Sequence, residues 1–175
     1  MAEYPLHLVR TRTLFDGTQV VIRPIRPEDA SMEQDFVRHL SDDSRYFRFM
    51  TQLEQLSPRK LKYFTEIDYD RHLAFVAVLT REGKDVEIGV ARYVSAAGSD
   101  RCEFAIAVDD AWQGTGVAGV LMFTLMDAAR EHGFKTMEGF VLTGNHKMLK
   151  FARQLGFDIH ADLDEPGTVR LVRAL

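Results

Sequence analysis

The sequence contains a single cysteine, Cys102, among its 175 residues. An internal disulfide therefore cannot form, and a zinc cluster built from cysteines is excluded. Long apolar runs are missing too, because no stretch approaches the roughly 20 residues that a membrane-spanning helix needs. No signal peptide is recognisable either. We therefore expect a cytoplasmic protein.

An excess of positive charge is also absent. The net charge is −4 and the pI is about 5.9, and the basic residues are dispersed along the chain. These properties argue against a general surface for nucleic acid or membrane. The six histidines lack the paired spacing of metal ligands, so we predict no metal site. With 46% hydrophobic and 27% charged residues, the composition is that of an ordinary globular protein.

The chain length favours one domain. Residues 1–17 are weakly patterned and are interpreted as an N-terminal arm, and residues 18–175 as a single domain. Hydrophobic periodicity predicts strands at 18–24, 72–80, 87–94, 101–108, 137–143, 157–160 and 168–173, and helices at 27–40, 43–49, 58–65, 116–132 and 145–155. Ser57 and Pro58 carry the preferences of an N-cap and a first helical residue.

The connections between these elements predict the fold class. The loops within 72–108 are short and rich in turn residues, which favours antiparallel hairpins, whereas a βαβ unit follows later in the chain. We therefore predict an α/β (α+β) fold with a mixed, mostly antiparallel central sheet flanked by helices.

The most informative segment is residues 113–118, which read QGTGVA. It follows a strand and opens a helix, so its backbone N–H groups and the positive helix end can hold a pyrophosphate. Residues 114–119 also match the G-x-G-x-x-G pattern of dinucleotide sites, and Glu138 follows about 20 residues later. Residues 109–113, however, separate the strand from the first glycine, and only one full βα unit follows. This context argues against a dinucleotide site.

When the segment is taken from Gln113, its pattern Gln-x-x-Gly-x-Ala resembles the pyrophosphate loop of the GCN5-related N-acetyltransferases (GNAT). Asn145 follows the next strand, and Leu155-Gly156-Phe157 lies at the distance from it that the family shows. The resemblance covers residues 19–173. It implies a GNAT-like fold and an enzyme that uses acetyl-CoA as its co-substrate.

A narrower likeness is to the acetyltransferase domain of bacterial protein lysine acetyltransferases. It is carried by DGT at 16–18, IRPIRPED at 22–29, SRYFRF at 44–49 and IDYD at 67–70. In many of those proteins the domain is fused to an acyl-CoA-synthetase-like region. The sequence contains no such region, so we do not carry its regulation over.

The resemblance implies a set of coenzyme-binding residues. Backbone groups of the strand would pair with the pantetheine arm, the loop would bind the pyrophosphate, and the asparagine that begins the next helix would contact the coenzyme or only cap the helix. The residues concerned are Ile106, Val108, Gln113, Gly114, Thr115, Gly116, Val117, Ala118 and Asn145. The Val108 amide would lie near the thioester oxygen.

Glu103 is the candidate general base. A lysine amine has a pKa near 10.4, so a group must take its proton before the amine can attack the thioester. In the strand 101–108, Glu103 shares a face with Ala105 and Ala107, whose small side chains leave room for a ligand. A glutamate at the matching position is the base in the lysine acetyltransferases that the chain resembles. A solvated glutamate at the start of a strand is the alternative interpretation.

The chain departs from the family at Ala152, where many members have a tyrosine that protonates the departing thiolate. The general acid is therefore unassigned. Transfer to a protein lysine is the preferred hypothesis. The alternatives are transfer to a small-molecule amine and a non-catalytic acyl-CoA-binding regulatory domain.

The remaining polar residues near these motifs have simpler interpretations. Arg45 and Arg48 are predicted to lie on a solvated helix face, although contact with the acceptor or the coenzyme 3′-phosphate is the alternative. Asp109 and Asp110 are predicted to shape the turn before the loop. Cys102 is predicted to be a buried thiol.

Overall fold

Hydrophobic hairpins build most of an eight-stranded sheet in the computed structural model, which describes residues 2–175. The strands are β1 (Arg10–Thr13), β2 (Gln19–Pro24), β3 (His72–Arg81), β4 (Lys84–Val94), β5 (Arg101–Val108), β6 (Thr136–Leu142), β7 (Asp158–Ala161) and β8 (Thr168–Ala174). Their spatial order is β1-β2-β3-β4-β5-β6-β8-β7. Every pair is antiparallel except β5 and β6, which run parallel. The predicted fold class is confirmed.

Within residues 2–175, five α-helices accompany the sheet: α1 (Ala30–His39), α2 (Asp42–Phe49), α3 (Pro58–Thr65), α4 (Val117–Glu131) and α5 (His146–Gln154). Helix α3 begins as predicted, because the Ser57 hydroxyl accepts the Lys60 N–H. The helix predicted at residue 27 begins instead as a 3₁₀ turn, Pro27–Asp29, before α1. The Asp29 carboxylate accepts the Arg26 N–H at that turn. None of the helices in residues 2–175 is long and apolar enough to cross a membrane.

The segment interpreted as an N-terminal arm contains a strand. β1 pairs with β2 along its whole length, with Arg10 opposite Ile22 and Thr13 opposite Gln19. All four β1 side chains are exposed, which explains why hydrophobic periodicity did not predict the strand. Ladder hydrogen bonds place this edge strand in the sheet without help from apolar side chains.

The two faces of the sheet are covered by different helices. Cross-strand partners share a face, so Leu73, Tyr93 and Phe104 lie together on the face against which α4 packs. Helix α4 buries one side fully there, including Leu121 and Leu125. Helices α1, α2 and α3 cover the opposite face, which we call the α1–α3 face.

Candidate active site

The site is built at a fork between two strands. β5 and β6 are paired at only three positions, and Glu103 opposite Glu138 is the last of them. Beyond this pair the strands diverge, although β5 continues to Val108 and β6 to Leu142. A cavity of about 760 Å³ occupies the fork, bounded also by α2, the loop before α4 and the start of α5. Its size is in the range of cofactor sites in proteins.

The edge of β5 that faces the fork carries free backbone donors. The Asp109 N–H donates to the Ile88 carbonyl on β4, at 2.9 Å. Since successive N–H groups of a strand point in opposite directions, the N–H groups of Ile106 and Val108 point away from β4 and into the fork. Both residues line the cavity. An extended amide-containing chain can therefore pair with this edge.

The loop before α4 has the geometry of an anion site. Gly114 and Gly116 have φ angles of 82° and 92°, which favour glycine. No described residue accepts a hydrogen bond from the backbone N–H groups of Gly116, Val117 or Ala118, and α4 has no side-chain cap. These free donors at a helix N-terminus fit a pyrophosphate such as that of acetyl-CoA.

Most of the predicted coenzyme-binding residues meet at the cavity. The residues that line it are Ile106, Val108, Gln113, Gly114, Gly116, Val117, Ala118 and Asn145. Thr115 does not, since its hydroxyl donates to the Trp112 carbonyl at 2.6 Å and its own carbonyl accepts the Phe15 N–H. Asn145 caps α5 by accepting the Met148 N–H.

Glu103 lies at the apex of the fork, exposed on the α1–α3 face and outside the cavity wall. Ala105 and Ala107, which follow it on the same face, do line the cavity. Partial burial and the nearby charge of Glu138 raise the pKa of Glu103, and the Arg48 guanidinium opposes this shift. A carboxylate with a raised pKa is a stronger proton acceptor than an ordinary glutamate.

The prediction of a solvated face for Arg45 and Arg48 is wrong. Arg45 is buried, and its guanidinium donates to the Leu40 carbonyl at 2.6 Å, near the end of α1. Arg48 is partly buried and lines the cavity, with its guanidinium 4.8 Å from the Phe49 ring centroid and 5.7 Å from that of Phe64. Burial and the charge of Arg92 lower the pKa of Arg48 to about 10. The aromatic residues at positions 46, 47 and 49 were the only local sign that this helix is half-buried.

A cluster of buried charged and polar side chains lies next to the site on the α1–α3 face, and sequence reasoning missed it. It contains Glu33 from α1, His72 from β3, and Glu87 and Arg92 from β4. Arg92 lies 3.8 Å from Glu33, contacts the His72 ring at 2.8 Å and stacks on Phe64. Burial, followed by the charge of Glu33, raises the pKa of Glu87 well above its usual range. We name these four side chains the buried charge cluster.

The two aspartates before the loop shape the turn, as predicted. The Asp109 carboxylate accepts the Ala111 N–H, and the Asp110 carboxylate accepts from the hydroxyls of Ser41 and Ser44, both at 2.9 Å. The hydrogen bonds from Ser41 and Ser44 to Asp110 connect the start of α2 to the segment that follows β5. This connection holds the helix that carries Arg48 beside the cavity.

Cys102 and Ala152 are both buried side chains without a polar role in the cavity. Cys102 is a buried thiol, and burial raises its pKa to about 12, so it is not a nucleophile. Ala152 is fully buried, and no tyrosine within residues 2–175 lines the cavity. In the same range, no group of three or more His, Cys, Asp or Glu side chains is arranged to hold a metal ion.

Comparison with known sequences identifies the family. The profile described as "Acetyltransferase (GNAT) domain" matches residues 19–158. An acetyltransferase of Pseudomonas aeruginosa is 37% identical over 153 residues, which are 87% of this chain and 82% of that protein. Acetyltransferase Pat of Mycolicibacterium smegmatis is 31% identical over 85% of this chain, which spans only 43% of that protein.

Solved structures agree with the sequence comparison. The GNAT domain of S. lividans PAT is similar, with a TM-score of 0.90 and 33% identity, over 99% of this chain and all of that one. A cAMP-binding acyltransferase from Mycobacterium smegmatis has a TM-score of 0.65 and 24% identity, over 96% of this chain and 48% of its own length. The second likeness shows a shared fold only. Given the matched profile, the 37% identical relative, the forked sheet and the free loop donors, this chain belongs to the GNAT family of acyl-CoA-dependent N-acetyltransferases.

Proposed function

We propose that this enzyme transfers the acetyl group of acetyl-CoA to the side-chain amine of a protein lysine, with Glu103 as the general base. The observation that carries the proposal is the position of Glu103 at the last paired residue of the β5–β6 fork. There a carboxylate stands beside a cavity whose edge and loop present backbone donors.

Coenzyme binding is assigned to backbone groups. Acetyl-CoA supplies the acetyl group as a reactive thioester. In the proposal, the N–H groups of residues 114–118 bind its pyrophosphate, and Ile106 and Val108 pair with its pantetheine arm. The absence of acceptors for the donors at the start of α4 supports this assignment.

Glu103 takes the proton of the acceptor amine in this mechanism. The amine must be neutral to attack, and its pKa near 10.4 keeps almost all of it protonated at neutral pH. The raised pKa of Glu103 brings the base closer to the amine in proton affinity, while the charge of Arg48 favours the ionised form of the carboxylate. Ala105 and Ala107 leave space beside the carboxylate for the attacking amine.

Water is assigned as the proton donor to the departing thiolate. Ala152 is buried and no tyrosine lines the cavity in the described part of the chain, so the tyrosine of many relatives has no equivalent there. Coenzyme A thiolate is a good leaving group, so we propose direct transfer without an acyl-enzyme.

The exposure of Glu103 favours a protein acceptor. The carboxylate is accessible from outside the cavity, on the side of α2, so a long lysine side chain can reach it from a surface loop. The similarity to the GNAT domain of S. lividans PAT supports the same class. A small-molecule amine is the second candidate and a non-catalytic acyl-CoA-binding domain is the third. We further propose a cytoplasmic location, in keeping with a lone cysteine that is a buried thiol.

Glu103→Gln tests the proposal. We expect turnover of lysine-bearing proteins to fall by about 10²–10⁴-fold while calorimetry finds unchanged acetyl-CoA affinity. Glu131→Gln, on the exposed end of α4, is the matched control and should leave both quantities unchanged. An unchanged rate in Glu103→Gln would remove Glu103 from the mechanism.

The acceptor and the coenzyme are tested with the wild-type protein. Acetylation of small amines but of no protein would favour the second candidate. Binding of acetyl-CoA without turnover of either acceptor class would favour the third. Titration with NAD should give no heat, because the context of the loop argues against a dinucleotide site.

A further inference from the structure

The turn between β1 and β2 lies against the loop that precedes α4. The Leu14 N–H donates to the Thr18 carbonyl at 2.8 Å and closes the turn. At its tip the Phe15 N–H donates to the Thr115 carbonyl at 2.9 Å. The segment interpreted from sequence as an arm therefore borders the coenzyme loop.

One edge of the Phe15 ring lies over Gly116 in this loop. Its Cε2 and Cζ atoms lie 3.0 Å from the position that a Cβ on Gly116 would occupy, yet the residue is 86% exposed. The hydrogen bond to Thr115 comes from the backbone N–H of residue 15, so any residue except proline could form it. So little of the ring is buried that it contributes almost nothing to packing in the free protein. An aromatic side chain at position 15 would therefore contribute free energy only when a ligand binds over it.

The proposed coenzyme placement, on which this inference rests, defines which part of the ligand reaches Phe15. In it, the pantetheine arm enters the fork along β5, and the pyrophosphate lies on the N–H groups of residues 114–118. The adenosine is attached to the other end of the pyrophosphate, so in this placement it lies beside the loop that Phe15 borders. Adenine is planar and apolar on both faces, and such bases stack on exposed aromatic rings.

We propose that Phe15 is a binding residue for the adenine of the coenzyme. The ring stacks on the base and so distinguishes full acyl-CoA from acyl carriers that end at the phosphopantetheine. Binding the adenosine covers an aromatic surface that the free protein leaves exposed.

Phe15→Ala tests this inference by calorimetry with two ligands, acetyl-CoA and S-acetyl-4′-phosphopantetheine, which lacks the adenosine together with one phosphate of the pyrophosphate. We expect acetyl-CoA to bind about 10-fold more weakly to the variant, whereas the truncated ligand binds equally to variant and wild type. Phe15→Trp should keep the affinity, because it also offers a stacking ring. Phe123→Ala is the matched control, since that ring is 58% exposed on α4 and should change neither affinity.

Two results would overturn the inference. An equal loss for both ligands would mean that Phe15 acts on the loop and not on the base, and no loss for acetyl-CoA would mean that the ring has no part in binding. A second readout is the emission of the Phe15→Trp variant, which adenine stacking should quench beyond the wild-type response of Trp112. Failure of the wild-type protein to bind acetyl-CoA would instead refute the proposed function.

Discussion

The two faces of the central sheet differ in what they bury. The face under α4 is apolar throughout its centre, where Leu73, Phe75 and Tyr93 of the sheet and Leu121 and Leu125 of α4 are all fully buried. The α1–α3 face buries charged and polar side chains beside its apolar ones. Those with at most 9% exposure are Arg23, Asp29, Glu33, Arg45, Thr65, His72, Glu87, Arg92 and Asp109.

This difference matches the work of each face in the proposed function. The α4 face fixes the helix whose first N–H groups would bind the coenzyme, and apolar packing suits a rigid support. The α1–α3 face carries Glu103 on β5, and Arg92 lies opposite Ala105 on the neighbouring strand. Buried charges are expensive unless paired. The charges of Arg92 and Glu33 act on Arg48, and Arg48 in turn favours the ionised form of Glu103.

The largest expected effect comes from removing the cation of the buried charge cluster. Arg92→Met leaves Glu33 and Glu87 buried without Arg92 beside them, and should lower the free energy of unfolding by about 3–5 kcal/mol. Leu125→Met on the α4 face also introduces methionine, but it conserves the volume of the side chain. It should lower the free energy of unfolding by less than about 1.5 kcal/mol. Urea unfolding monitored by circular dichroism gives both values.

Similar losses of unfolding free energy in the two variants would contradict the proposed difference between the two faces. They would mean that the buried charge cluster behaves energetically as ordinary core. A gain in stability for Arg92→Met would be a stronger contradiction, because the acids would then need no cation.

The sequence predicts the two faces unequally. Alternation along β5 and the spacing of Leu121 and Leu125 predict the α4 face, because apolar periodicity is a local signal. Arg92 and Glu87 lie in the strand predicted at 87–94, but their partner Glu33 is 54 residues before Glu87. Such long-range pairing leaves no local pattern.

The candidate site follows the same division. The loop at 113–118 and the Asn145 cap were predicted, since turn and capping residues carry local signals. The fork itself was not, because it depends on where β5 and β6 cease to pair. The contact of Phe15 with Gly116 was not predicted either, because it joins residues about 100 positions apart.

A smaller effect is expected from neutralising one acid of the cluster. The pKa of Glu87 is raised in the folded protein, so the folded state holds a proton that the unfolded chain releases above pH 4–5. Stability from this group is therefore greatest at low pH and is lost as pH rises towards the folded pKa. Glu87→Gln cannot titrate and should escape this loss.

The thermal midpoint of Glu87→Gln should therefore exceed that of wild type at pH 8, by an amount that shrinks towards pH 5. A shift of about 2–4 °C at pH 8 is expected for a change near 1 kcal/mol in a chain of this size. Glu131→Gln, exposed on α4, should give the same small difference at both pH values. A midpoint that falls most at pH 8 would mean that the folded protein uses the Glu87 charge.

The smallest effect concerns the second carboxylate at the fork. Glu138 lies opposite Glu103 and is 3.9 Å from Arg101 and 3.5 Å from Arg170. Its charge helps to raise the pKa of Glu103, so Glu138→Gln should lower that pKa. The two arginines lose their acid in the variant, and their freed positive charge acts in the same direction. Arg48 on α2 is unchanged and still favours the ionised base.

Since the base acts when ionised, kcat/KM rises with pH through the pKa of Glu103. In Glu138→Gln the midpoint of this rise should move to lower pH, because a charge that raises the pKa of Glu103 is removed. The pH profile of kcat/KM measures it, with Glu131→Gln as the unshifted control. A midpoint that stays in place would separate Glu138 from the base, and one that moves upward would mean that the arginines, held by Glu138, govern the fork. Either result would mean that the charge of Glu138 does not raise the pKa of the candidate base.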